Sequence, residues 1–215
     1  MALEFYYVSG SPFSMRVHLS LEYQAQEYTG KPLKFSAGDL KRPEFLRMNP
    51  RAKVPVLVDD DFVLFESAAI VEYLDERAGA KRRLFPEDVR GRALARRMIR
   101  EVDEQLGRLQ GTLAGELFFK QAGEGRDEQR VRRAAEQFAA ELVYFERQLR
   151  GDFLLGAVSA ADLALYPFVA MARRFELRMP GLGLSEALGA PMRAWLDRVE
   201  ALPRFENAYP PHWRS

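Results

Sequence analysis

Three short segments of the chain carry groups able to hold or steady an anion. Ser9-Gly10-Ser11-Pro12-Phe13-Ser14 leads from a strand into a helix. Pro suits the first helical turn, where its missing N–H is not needed. The free amides and the positive dipole end of that helix face whatever lies over Ser11. Ser11 is thus either a hydroxyl donor beside an anion or a plain helix cap. Val54-Pro55 is the second segment. X–Pro bonds supply most cis peptides, and a Pro entering a buried strand cannot donate to its ladder. A cis bond here would leave the Val54 backbone open to an extended peptide. Glu66-Ser67, at the start of a further helix, is the third. A helix N-terminus with a Ser hydroxyl suits a carboxylate, and an adjacent Glu suits an ammonium. The pair fits the α-amino acid end of a ligand, or it is an ordinary helix start.

Composition removes other chemistries. The chain has 215 residues and no cysteine, so disulfides, thiolate metal sites and a cysteine nucleophile are excluded. It has only 2 histidines, His18 and His212, which argues against a histidine metal site. With 32 basic and 31 acidic residues the net charge is +1, which does not suit nucleic-acid binding through a basic face. No apolar run reaches the ~18 residues of a membrane span. The opening Met1-Ala2-Leu3-Glu4-Phe5 lacks a basic n-region before an apolar stretch, so a cytoplasmic location is expected.

The elements that would position these segments fall into two textures. Up to about residue 78 short strands and helices alternate. Leu3 to Val8 reads as a strand, Pro12 to about Gln24 as a helix, and Gln26 to Phe35 contains a second strand. A short helix starts near Asp39-Leu40-Lys41 and stops before Asn49-Pro50. Val54 to Val58 and Phe62 to Phe65 read as a hairpin turning at Asp59-Asp60-Asp61. Ile70, Tyr73 and Leu74 share one face of the helix that follows. The order βαβ, α, ββα predicts one mixed sheet carrying helices.

Residues 79–88 read as a solvated linker, and 89–215 as all-helical. Ile99, Val102, Leu106, Leu109, Leu113 and Leu117 form one apolar stripe; Val131, Ala134, Ala135, Phe138, Leu142, Phe145 and Leu149 form another. Gln121 to Asp127 is a polar turn between them. Ser159-Ala160-Ala161-Asp162 is a capping box, read as structural rather than catalytic. A last helix runs from about Ala190 to Leu202, before Pro203.

In combination these motifs resemble the glutathione S-transferase family. The resemblance spans almost the whole chain. It rests on Ser11-Pro12-Phe13-Ser14-Met15-Arg16-Val17, on Asn49-Pro50 with Lys53-Val54-Pro55-Val56-Leu57, on Glu66 through Leu74, and on Ser159 through Asp162. It implies a thioredoxin-like domain over 1–78 and a helical domain over 89–215 that contributes an electrophile pocket. It also implies that Ser11 hydrogen-bonds the glutathione sulfur. Val54, before a cis Pro55, would pair with the cysteinyl backbone, and Glu66 and Ser67 would hold the γ-glutamyl end. Lys41 and Lys53 match residues that approach the glycine carboxylate, and Phe13 would lie at the mouth of the electrophile pocket. Ser159 and Asp162 match the family's folding box. Glutathione is then a co-substrate, no metal is needed, and the usual assembly is a homodimer.

Departures from the family patterns narrow this. Cysteine-type members carry Cys-Pro-Phe where this chain has Ser11-Pro12-Phe13, which argues against chemistry through an enzyme mixed disulfide. Tyr7 occupies the position of the tyrosine used by other classes, and Ser9 and Ser14 are further hydroxyls nearby. The Ser-Ser-Cys run of maleylacetoacetate isomerases is absent. A glutathione peroxidase, dehalogenase or isomerase, or a non-catalytic binding or regulatory protein, is the alternative. Asp103 could reach a partner subunit's site. Leu106, Phe118 and Trp213 are unranked candidates for the electrophile pocket.

Overall fold

Alternation along Leu3–Tyr7, strand β1, sets the two faces of a sheet. Leu3 and Phe5 are fully buried, and Phe5 stacks on Tyr7 at 5.0 Å. Val8 joins Leu40, Phe45 and Val56 in an apolar cluster, with Tyr6 packed against it. The computed structural model describes residues 3–78, 82–120 and 125–214. β2 is Tyr28–Pro32, β3 Val56–Asp59 and β4 Phe62–Phe65. Their order is β2-β1-β3-β4, with β1 parallel to β2 and antiparallel to β3, and β3 antiparallel to β4. This is the expected mixed sheet of a thioredoxin-like unit. The hairpin closes with Asp59 opposite Phe62, and Asp60 takes a positive φ of 57°.

Helix α1 spans Pro12–Tyr23, α2 Pro43–Met48 and α3 Ser67–Ala78. The residues expected to start α2, Asp39–Lys41, form a separate 3₁₀ turn, and Pro43 opens the helix itself. α1 packs against α3.

The chain divides into two compact units, 1–85 with 201–215, and 86–200. This differs from the expected boundaries at both ends. Residues 79–81 of the expected linker lie outside the described residues. Leu84 and Phe85 are buried rather than solvated, and the Leu84 amide donates to the buried Asp75 carboxylate. Apolar burial and that bond tie them to the first unit. Asp88 caps the next helix, its carboxylate accepting from the Gly91 amide at 2.7 Å.

Residues 201–215, expected with the helices, return to the sheet unit. The short helix α9, Phe205–Ala208, and the turn Pro211–Trp213 bury Phe205, Ala208 and Trp213 there. Glu22 of α1 is the anchor. It accepts from Arg204 Nε at 2.9 Å and from Asn207 Nδ2 at 2.9 Å. Its other oxygen accepts from the Tyr28 hydroxyl at 2.6 Å, and His18 Nε2 meets that hydroxyl at 2.6 Å. Gly10, at φ +86°, lies under this segment; a Cβ there would come within 2.9 Å of His212 Nε2.

Burial pushes the His18 imidazole down to about 4 from 6.5, against the opposing pull of Glu22. Between those values the unfolded chain binds a proton that the folded protein refuses. Stability is therefore expected to fall as the pH drops through that window. Urea unfolding at about pH 7 and about pH 4.5 measures the slope. The His18→Gln variant, facing the same Glu22 and Tyr28, should flatten it; an equal slope would remove His18 as its source.

The second unit is helical throughout its named elements. α4 is Val89–Glu101 and α5 is Gly107–Ala114, with π-helical turns at Val102–Leu106 and Gly115–Phe119 after them. The expected stripe from Ile99 to Leu117 is buried along its whole length, but crosses both π turns. Residues 121–124 of the expected turn lie outside the described residues. α6, Glu128–Glu146, buries its stripe from Val131 to Phe145 and stops before Leu149. α7, Ala160–Arg178, is buried continuously from Ala160 to Ala172, and α8 is Ala190–Glu200. Among the described residues no helix is long and apolar enough to cross a membrane.

The capping box at the start of α7 is formed. Asp162, with no exposed surface, accepts from the Ser159 amide at 2.9 Å and from the Ser159 hydroxyl at 2.7 Å. It also accepts from the Leu154 amide and from Trp195 Nε1, each at 2.9 Å. Burial pushes its carboxyl above the ordinary range while these donors pull the other way.

Candidate functional site

The loop that enters β3 is shaped by Asn49, which is buried behind it. Its Nδ2 donates to the Lys53 carbonyl at 2.7 Å, and its Oδ1 accepts from the Arg51 amide at 3.0 Å. Such an Asx turn substitutes side-chain bonds for backbone ones. Ala52 adopts a positive φ of 52° inside it, and the Val54–Pro55 peptide is cis. Val54 lies before the ladder, which begins at Val56.

Glu66 sits immediately before α3 with a φ of 72°, a region few non-glycine residues occupy. Its carbonyl accepts from the Ile70 amide at 3.0 Å, so it stands at the cap position. Ser67 opens the helix, and its hydroxyl accepts from Arg16 Nη1 at 3.1 Å. Arg16 is fully buried beneath it and lies 5.6 Å from the Phe13 ring centre. Accepting from a guanidinium leaves the Ser67 proton available to donate. A buried cation and a helix N-terminus then favour an anion at the same place.

These loops enclose a cavity of about 120 Å³ lined by Phe13, Asn49, Lys53, Val54, Pro55, Glu66 and Ser67. Of the residues expected to touch the ligand, all but Lys41 and Ser11 are on its wall. Lys41 lies exposed in the 3₁₀ turn and does not line the cavity. Ser11 caps α1, its Oγ accepting from the Ser14 amide at 3.3 Å. It stands two positions before Phe13 but is not itself on the cavity wall. The cap uses an oxygen lone pair, so the Ser11 proton can still be donated.

Tyr7 belongs to a different cavity. Its ring stacks on Phe5 and tilts against His18 at 5.3 Å, and burial raises its pKa. Asp103 lies in the first π turn, Leu106 is fully buried, and Phe118 stacks on Phe175 at 5.6 Å. Trp213 is buried in the first unit. Among the described residues no cluster of three or more histidine, cysteine or acidic side chains could hold a metal ion.

Asn49 and Arg16 escaped the sequence reading as site residues. Asn49-Pro50 read as a helix stop, although Asn beside Pro after a helix also signals an Asx turn. Arg16 read as one residue of a motif, and nothing local marks it as buried. Replacing Asn49 by Ala orphans the Lys53 carbonyl and the Arg51 amide. It is expected to cost about 1–3 kcal/mol in urea unfolding and to weaken ligand binding at the adjacent cavity. A stability within error of wild type would contradict the role assigned to it.

Comparison with known proteins fits this geometry. The sequence model "Glutathione S-transferase, N-terminal domain" matches residues 1–76, and "Glutathione S-transferase, C-terminal domain" matches 128–198. The chain is 30% identical over 213 residues to glutathione S-transferase A of Pleuronectes platessa, covering 95% of this chain and 90% of that one. It is 28% identical over 209 residues to a probable maleylacetoacetate isomerase of Vibrio cholerae, covering 95% and 93%. A glutathione transferase from Burkholderia graminis, solved with two glutathione molecules bound per subunit, superposes with a TM-score of 0.80 at 25% identity, covering 96% and 87%. The chain belongs to the glutathione S-transferase family.

Proposed function

We propose that the protein binds glutathione and stabilises its thiolate for attack on a hydrophobic electrophile. The observation that carries this reading is the cavity that sets Glu66 and Ser67, at the N-terminus of α3, on one wall with Val54, Lys53 and Phe13. The γ-glutamyl carboxylate meets the Ser67 hydroxyl and the free amides of α3, with the Arg16 charge behind them. Its ammonium meets Glu66. The cysteinyl backbone pairs with Val54, and Lys53 faces the glycine carboxylate. Lys41, off the wall, contributes at most through a change of its exposed side chain. The sulfur is then held toward the start of α1, where Ser11 donates to it.

A free thiol has a pKa of ~8.5 and is largely protonated at neutral pH. A hydroxyl donor and a helix N-terminus favour the thiolate over the thiol. Lowering the pKa by about two units corresponds to ~2.7 kcal/mol. The thiolate attacks the electrophilic carbon, a carbon–sulfur bond forms, and the leaving group departs with its electron pair. Ser11 keeps its own proton throughout. Tyr7 is the weaker sulfur donor in this scheme, because its ring is packed against Phe5 and His18.

Isothermal titration tests the binding. Glutathione should bind in the micromolar to millimolar range, and Ser67→Ala should weaken it by about 10- to 100-fold, as a hydrogen bond to a charged group is worth ~1.5–3 kcal/mol. Absence of any glutathione binding would overturn the reading. The similarity to a probable maleylacetoacetate isomerase favours a second reading, glutathione addition to a cis-enedione followed by its release. Parallel assays with a chlorodinitrobenzene-type electrophile and with a cis-enedione separate the two. Binding without turnover in either would support a non-catalytic role. The reading includes a cytoplasmic homodimer acting in detoxification, and sedimentation tests the dimer.

A further inference from the structure

Ser11 caps one end of α1, and Glu22 lies in the last turn at the other, roughly 16 Å away at the ordinary rise of an α-helix. Glu22 is only 3% exposed. A carboxylate so buried needs good partners, and two of its donors come from the returning C-terminal segment. They are Arg204 Nε and Asn207 Nδ2, each at 2.9 Å. From that anchor the segment runs back along α1, against which α9 packs. Its path is stiff. Phe205, Tyr209 and Trp213 recur at intervals of one helical turn, with successive ring centres 5.6 Å and 5.9 Å apart. Pro210 and Pro211 fix two backbone angles between the last two rings. The Trp213 amide donates to the Pro210 carbonyl at 2.9 Å. Phe205, Ala208 and Trp213 are buried, so the segment is packed rather than draped.

The segment ends on the turn that carries Ser11. Val8 to Ser11 form that turn, closed by a bond from the Ser11 amide to the Val8 carbonyl at 3.1 Å. Gly10, at φ +86°, is its third residue, a place where a positive φ favours glycine. Glycine holds no conformation by itself. A Cβ on Gly10 would meet His212 Nε2 at 2.9 Å and Trp213 Nε1 at 3.3 Å, so both rings rest against the glycine backbone. The residue just before the cap is thus restrained from outside, by a segment that Glu22 anchors.

We propose that Glu22 is a positioning residue: by anchoring 204–214 against Gly10 it fixes where the Ser11 hydroxyl stands. This extends the role given to Ser11, on which it rests, to a residue that touches neither glutathione nor the reacting atoms. Arg204 and Asn207 serve the same end from the other side of the contact. A donor acts on sulfur through distance and angle, and a displacement of about an ångström is enough to lose much of its effect.

A double-mutant cycle on the full-length protein tests this, read by the ultraviolet absorbance of the bound glutathione thiolate as pH is varied. Glu22→Gln keeps the shape of the side chain but loses the charge that pairs with Arg204. It should raise the pKa of the bound thiol by about one unit. Turnover of a chlorodinitrobenzene-type electrophile at saturating glutathione should fall about tenfold near neutral pH, with the glutathione Kd within about twofold of wild type. A purely structural acid would shift the urea midpoint and leave that pKa alone. In a Ser11→Ala background the same substitution should move the thiol pKa no further, since the group it positions is gone. An unmoved thiol pKa in Glu22→Gln, or an equal rise with and without the Ser11 hydroxyl, would overturn the proposal. Failure of Ser11 itself looks different: glutathione does not bind, or Ser11→Ala alone leaves the thiol pKa unchanged, and the role of Glu22 then falls with it. Should Glu22→Gln not fold, the Arg204→Gly, Asn207→Ala double variant makes the same test from the exposed side of the contact. Glycine takes the positive φ of Arg204 without strain.

Discussion

Asp162→Ala is expected to destabilise the protein by about 4 kcal/mol, a large share of the ~5–15 kcal/mol that holds a typical protein folded. The carboxylate accepts from the Leu154 and Ser159 amides, the Ser159 hydroxyl and the Trp195 indole, with no surface exposed to water. The hydroxyl can turn to another acceptor, but the amides and the indole N–H cannot. Each buried donor left without an acceptor costs about 1–3 kcal/mol. Removing a charge that burial already penalises returns part of this, so the net is smaller than the sum. Asp162→Asn keeps one acceptor oxygen and turns an amide N–H₂ toward donors, so its loss should be intermediate. Urea unfolding followed by tryptophan fluorescence reads the effect, with the buried Trp195 as a local reporter. An alanine variant within about 1 kcal/mol of wild type would show that water or a rearranged loop satisfies these donors.

Ser11→Ala is expected to lower turnover of a chlorodinitrobenzene-type electrophile by about 100-fold near neutral pH. Glutathione affinity should stay close to wild type, because the contacts proposed for it lie on Val54, Glu66 and Ser67, which line the cavity without Ser11. The lost donor raises the pKa of the bound thiol toward ~8.5, so the rise with pH of kcat/KM for the electrophile, at saturating glutathione, should move up by as much as about two units. The substitution also removes the α1 cap bond to the Ser14 amide, costing roughly 1 kcal/mol of stability. Ser11→Thr separates the two effects, since it retains both hydroxyl and cap and should keep most of the activity. Full turnover in Ser11→Ala would move the sulfur contact to another hydroxyl, and the same assay on Tyr7→Phe would then decide that residue's claim.

What could be read from the sequence was what repeats or what is local. Helix stripes such as Val131 to Phe145 follow from periodicity, and all of those side chains are buried. The capping box needs only Ser159 and Asp162 at the right spacing. The loop before β3 and the start of α3 were marked by Pro55 and by Glu66-Ser67, and the structure sets them on one wall. Features that depend on distant residues were not readable. Arg16 is buried against Ser67, 51 positions later, whose hydroxyl accepts its hydrogen bond. Leu84 and Phe85 sit in a stretch rich in Lys and Arg, and their burial follows from the reach of Asp75. The π turns at Val102–Leu106 and Gly115–Phe119 preserve a stripe that reads as plain α-helix.

The bond between Glu22 and the segment holding Arg204 and Asn207 spans nearly the whole chain. It has a consequence for the order of events on the ribosome. The first 85 residues emerge with Glu22 lacking both of those donors, and the entire helical unit is translated before the donors appear. The nascent sheet unit therefore waits, incompletely paired at α1, until Arg204 and Asn207 have followed the helical unit. Its final closure is a post-helical event, set by residues 201–215 rather than by 1–85.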